Sequence, residues 1–250
     1  MRTMKSFLAI ALLAIAGSAS AQFANANASA STSNKVVNSA DTDGWQKIYA
    51  SYNPMKIVTD VSGADDTNYT AFSLGYSKGF SIAKDLPLFV EAGVEATYAF
   101  NTMDKEDDKS LDIYYEMERK TTYLSVNVPV SLAYKFSLSN KNISIVPYLG
   151  INLKGNIIGK SKLEIVEDIE DEEEFWDDYE DSIRKETNWF DKKEAGSKDN
   201  QWKRFQFGWQ LGVGIHYNQV YVGVGYGKDF NELYKKAKVS KTSITLGYSF

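Results

Sequence analysis

The chain has 250 residues, a formal net charge of −5, 4 prolines, 1 histidine and no cysteine, with 43% apolar and 14% aromatic content. Its length and apolar share fit one domain of moderate size or two small ones. The mild acidity argues against the basic stripe of a nucleic-acid binder, and the cysteine and histidine counts exclude a disulfide scaffold, a thiolate zinc site and a histidine triad around a metal.

In chain order, residues 1–21 carry Arg2 and Lys5, then an apolar run over 7–16 and the small-residue sequence Ala19-Ser20-Ala21. This is the pattern of a secretory signal peptide, because the run is well short of the roughly 20 apolar residues a spanning helix needs. Residues 22–44 are rich in Asn, Ala and Ser and read as a flexible lead-in. The exported chain is then either soluble or a membrane barrel.

From Trp45 onward the hydrophobic period is two, so 45–250 reads as one β-domain. The clearest segment is 124–136, where Leu124, Val126, Val128, Val130, Leu132, Tyr134 and Phe136 share one face. The same alternation recurs over 88–100, 143–157, 205–217 and 220–226, with opposite faces that are small or polar. Segment 67–82 carries Phe72, Leu74 and Tyr76, but Lys78 breaks its parity, as a bulge or a membrane boundary would. Segment 45–57 is the loosest because of Pro54, and 240–250 closes a count of eight strands.

Alternation alone suits a soluble sandwich or lipocalin-like barrel equally well. Three features favour an eight-stranded antiparallel up-and-down transmembrane barrel. The connections near 57–67, 101–112, 158–201 and 228–239 are long, while 83–86, 137–142 and 218–219 are short, in strict alternation. Such an order puts every long loop at one end. Strands of about 11 residues at about 3.3 Å per residue, tilted about 40°, span roughly 28 Å, close to an apolar membrane band. Finally Ile244, Leu246, Tyr248 and Phe250 run at two-residue steps, which resembles the C-terminal signal that the barrel-assembly machinery recognises during insertion.

The stretches TTYLSVNVPVSLAYKF (121–136), VPYLGINLKG (146–155), FGWQLGVGIHYNQVYVGVGYGKDF (207–230) and TSITLGYSF (242–250) resemble the small outer-membrane barrels of OmpA- and OmpX-like shape. The nearer resemblance is to the PorT-like outer membrane protein β-barrel domain group. The resemblance implies a bacterial outer-membrane address, with both termini in the periplasm, and a fold more than an activity; a role in secretion follows from it by analogy only.

A barrel of this size has room only for its own side chains or one small ligand. Glu91, Glu95, Asn127, Lys135, Lys154, Arg204 and Gln210 are expected as a structural polar cluster in the lumen, with Glu91 and Lys135 approaching each other. Inward glycines such as Gly208, Gly212, Gly214, Gly223, Gly225 and Gly227 leave room either for a substrate or, the favoured reading, for Arg204, Tyr148 and Tyr221 to pack across. His216, the only imidazole, falls beside the Asn218-Gln219 turn and reads as an ordinary interfacial residue.

Residues 160–200 hold 16 acidic and 7 basic side chains, a net of −9. Ile165, Ile169, Trp176, Tyr179, Ile183 and Phe190 recur at helical steps, which predicts a short amphipathic helix there. Trp176, Tyr179, Trp189 and Phe190 are the candidates for docking a protein partner or for capping the barrel. Calcium is disfavoured because the EF-hand spacing is absent.

The expectation is a non-enzymatic envelope barrel with no cofactor, held in the lipid bilayer, whose acidic loop meets an assembly or secretion protein. The alternative is a narrow channel or small-ligand carrier; a lipid-modifying enzyme is the least favoured.

Overall fold

The computed structural model describes residues 41–60, 66–104, 117–138, 142–165 and 186–250. It contains β1 (Trp45–Tyr52), β2 (Met55–Thr59), β3 (Thr67–Ser81), β4 (Leu88–Asp104), β5 (Met117–Tyr134), β6 (Phe136–Ser137), β7 (Ile143–Ile165), β8 (Thr187–Asn188), β9 (Phe205–Tyr217), β10 (Val220–Asp229) and β11 (Ala237–Ser249). The sheet runs β1-β11-β10-β9-β7-β5-β4-β3-β2, and additional β1–β3 and β11–β2 pairings close it.

The ring has eight staves, because β1 with β2 and β5 with β6 each act as one. Pro54 has no N–H to give the ladder, yet no register is lost across it. Tyr52 faces Phe72 and Met55 faces Tyr69 on one side, while Tyr52 faces Ile244 and Met55 faces Lys241 on the other. The backbone bonds from Asn53 to Ala71 and from Thr242 to Pro54 carry the ladder through the break.

The pattern of exposure is inverted relative to a water-soluble fold. Outward Leu74, Leu246 and Phe250 are 71%, 63% and 62% exposed, whereas inward Asn53 and Gln206 are fully buried. An apolar belt running round the whole wall is far larger than the patches soluble monomers tolerate, and it matches the lipid-facing band of a membrane barrel. Ile244, Leu246, Tyr248 and Phe250 all lie on that outer face.

Several strands outrun their sequence signal. In β7, Leu124 faces Ile158 but Ser125 faces Asn156, so Ile157 is an extra residue. The bulge reverses the alternation: beyond it Gly159 and Ser161 face inward while Lys160 and Lys162 face outward. A strict period-two reading therefore stops at 157, although the strand continues to Ile165. No bulge occurs at Lys78, which pairs in register with Ala92 and reaches over the Phe80 ring at 5.2 Å.

The predicted loop helix does not reach its expected ends. Ile165 closes a strand, and Phe190 follows the short strand β8, which pairs Thr187 and Asn188 with Ser161 and Lys160. Trp176 and Tyr179, with the rest of the predicted helix between 166 and 185, lie outside the described residues, as do the signal peptide and most of the lead-in.

Candidate functional site

The lumen is where the sequence concentrates polar side chains, and three ion pairs line it. Lys47 Nζ lies 2.9 Å from Glu91 Oε1, Lys241 Nζ 2.8 Å from Glu95 Oε1, and Lys154 Nζ 2.6 Å from Asp229 Oδ2. Each buried charge thus meets its opposite, as charges withdrawn from water must. Trp45 Nε1 also donates to Glu91, and Thr97 Oγ1 and Asn127 Nδ2 donate to Glu95. Gln210 Nε2 donates to Ser131 of β5 across the intervening β7, where Gly150 stands between them.

Aromatic rings fill much of the remaining width. A Cβ at Gly212 or Gly225 would collide with the Tyr148 hydroxyl, and one at Gly214 or Gly223 would collide with the Tyr221 ring. These glycines make room for two tyrosines. The remaining lumen cavity is about 90 Å³, room for a handful of water molecules.

Apolar clusters pack at both ends. At the end carrying the short turns, Trp45 packs on Phe89 at 4.6 Å between centroids, beside Ala133 and Val146. His216 is buried there, 5.6 Å from the Trp45 ring and 4.9 Å from the Tyr221 ring, with Nδ1 3.0 Å from Ser249 Oγ. The residues entering β1 seal this rim. Asp41 Oδ2 is 2.9 Å from Lys135 Nζ and accepts from Ser137 Oγ, while Lys135 also donates to the Asp43 carbonyl. Burial pushes the Asp41 carboxyl up, but hydrogen bonds from Lys135 and Ser137 and the ammonium charge outweigh it and hold its pKa below the ordinary value.

The long-loop end is closed by a cap. Trp189 Nε1 donates to Ser161 Oγ at 2.7 Å, and the Trp202 indole stacks on it at 5.9 Å with 13° between planes. Phe190 and Tyr123 meet Trp202 edge-on, and Leu233, Ala237 and Val239 complete the cluster. Gly159 admits the Trp202 and Phe190 rings, which a side chain there would displace.

Placement of the expected cluster is therefore mixed. Glu91, Glu95, Asn127, Lys154 and Gln210 line one cavity. Glu91 and Lys135 do not meet: Glu91 is taken by Lys47 and Lys135 by Asp41. Pro54 obscures the parity of the first stave in the sequence, and the structure places Lys47 on its inward face. Arg204 is not in the lumen either. It sits at the bend before β9, exposed, with its guanidinium 4.5 Å from the centroid of the Phe190 ring.

The sequence reading missed Lys47, Asp229 and Lys241. Lys241 shares parity with Ser243, Thr245 and Gly247, so period two could have found it; Asp229 lay just past the end assigned to its strand. Trp189 and Phe190 serve the barrel's own cap. Among the described residues no group of three His, Asp or Glu side chains is placed to hold a metal.

The family model described as outer membrane protein beta-barrel domain matches residues 48–233. Among solved structures, the chain is similar to the attachment invasion locus protein Ail of Yersinia pestis, solved in complex with the heparin analogue sucrose octasulfate. Identity is 14%, covering 83% of this chain and 99% of that one, with a TM-score of 0.41. Neisserial surface protein A is similar at 13% identity over 82% of this chain and 97% of that one, with a TM-score of 0.40. For OprG of Pseudomonas aeruginosa the figures are 14%, 85%, 98% and 0.35. No curated protein matches the chain.

Proposed function

The chain belongs to the outer membrane protein β-barrel domain family, and from that premise we propose that it works through the surface of its long-loop end, as an interaction barrel of the cell envelope, and not through its lumen. The observation that carries this reading is the filled interior: three mutually neutralised ion pairs and two tyrosines leave about 90 Å³. Transport through a barrel of this width would need a continuous path.

The orientation that goes with it puts both termini and the short turns in the periplasm and the cap outside. The excess negative charge of 160–200 then faces outward and selects a protein partner with a basic face, such as an assembly or secretion component. Catalysis finds little support. His216, the chain's one imidazole, is buried against Trp45, Tyr221 and Ser249 at the short-turn end, away from the surface that this reading assigns to function.

The test separates loop from cap. Replacing residues 166–185 with a short Gly-Ser linker leaves β7, β8 and the Trp189–Trp202 stack in place. The variant is expected to keep the heat-dependent gel mobility of a folded barrel while losing crosslinks to its envelope partner and the phenotype of the intact gene. An unchanged phenotype would sink the reading.

A further inference from the structure

A second cavity, about 240 Å³, opens at the long-loop end above the apolar plug. Its lining combines three kinds of group. The half-buried Trp189 and Tyr234 supply aromatic surface, with buried Tyr69 and Trp202 behind them and the two indoles held parallel. Thr121 and Ser161 supply hydroxyls 2.8 Å apart, within a row that runs from the Tyr69 hydroxyl to Trp189 Nε1. Arg119 is exposed at the same cavity, and among the described residues no carboxylate pairs with it.

We infer that this cavity is a binding site for a single carboxylated sugar ring. A pyranose has an apolar C–H face that packs on aromatic rings and a rim of hydroxyls that exchange hydrogen bonds with side-chain hydroxyls. The guanidinium, unpaired among the described residues, adds a bidentate partner for a carboxylate. A purely apolar ligand would leave the exposed Arg119 and Asn200 at the cavity without a role, and a drug-sized molecule needs a larger pocket.

The site is independent of the acidic-loop reading. Its lining residues all lie outside 166–185, so the linker variant that tests the loop leaves the cavity intact, and either idea can fail alone.

The test is tryptophan fluorescence of the full chain in detergent micelles, titrated with galacturonate, galactose and inorganic phosphate. Galacturonate is expected to give a saturable change and galactose to bind about tenfold more weakly, the worth of a charge-assisted hydrogen bond. Arg119→Gln should bring galacturonate down to the galactose level and leave galactose unchanged. Arg119 is exposed, so this variant folds as the parent does, which its heat-dependent mobility would verify. Trp189→Phe, which keeps an aromatic face, should retain weakened binding.

A glycolipid ending in a uronate, added to the micelles, separates the sources. Saturation by the free sugar points to a soluble glycan, and saturation by the lipid-linked form alone points to a membrane glycolipid. No saturable signal from either, equal titration by R119Q, or phosphate binding as tightly as galacturonate would overturn the inference, the last by reducing the site to a bare anion contact.

Discussion

Lys47 and Glu91 meet at 2.9 Å across a whole intervening stave, with only 5% of the lysine side chain exposed. The reach is possible because β3 presents small residues beneath them: Ser77 stands opposite Lys47, and Gly79 stands opposite Glu91. A side chain at Gly79 would strike the Trp45 indole. One buried pair thus ties β1 to β4 and fixes how the first stave closes the ring.

Breaking this pair from one side leaves a charge buried alone, which costs about 3–5 kcal/mol. Lys47→Met should therefore lower the urea midpoint of the refolded barrel markedly. The double variant Lys47→Met with Glu91→Gln should recover most of the loss, since neither charge remains. A double variant no better than K47M would show that packing, not charge, dominates at this position.

The Asp41 latch carries a pH dependence. Its carboxyl is held below the ordinary value of 3.8 by Lys135 and Ser137 against the opposing effect of burial. A depressed folded-state pKa means that its contribution is complete above about pH 4 and is lost as pH falls through the lower folded value. Between pH 7 and 5 the stability difference between the parent and Asp41→Asn should be constant. Below about pH 4 the difference should shrink toward zero. A difference that shrinks already near pH 6 would assign the latch to another group.

Much of this architecture was legible in the alternation of apolar and polar residues, because a barrel wall with lipid on one side and a polar lumen on the other writes its period directly into the sequence. The eight staves and the order of long and short connections could be read that way. Where the period is interrupted the reading failed, for identifiable reasons. Pro54 hid the inward parity of Lys47, and the bulge at Ile157 hid the last turns of β7. Capping by Trp189 and Phe190 was one of two readings of the long loop, but their partners Trp202 and Leu233 could not be read, because Leu233 comes from the next long connection and nothing periodic links them.

Tyr221 accounts for two glycines at once. An added Cβ at Gly214 or Gly223 meets only its ring, with no backbone atom among the nearest neighbours. Gly214→Ala and Gly223→Ala should each destabilise the barrel by about 1–3 kcal/mol, the usual cost of overpacking. Replacing Tyr221 with Leu should make either alanine nearly neutral, as measured by denaturation midpoints. Failure of that rescue would mean that these glycines serve the backbone instead.

The cap and the lumen can be separated as barriers by conductance. Trp202 is 6% exposed and central to the loop-end cluster, so Trp202→Ala should cost about 3–5 kcal/mol and loosen the plug. If the ion pairs and tyrosines below are the true obstruction, the variant will still show no discrete conductance in planar bilayers. Adding Tyr148→Ala removes a ring that crosses toward Gly212 and Gly225, and only the combined variant should open measurable steps. Steps in Trp202→Ala alone would place the barrier in the cap, and the lumen would then have to be reconsidered as a path for small solutes.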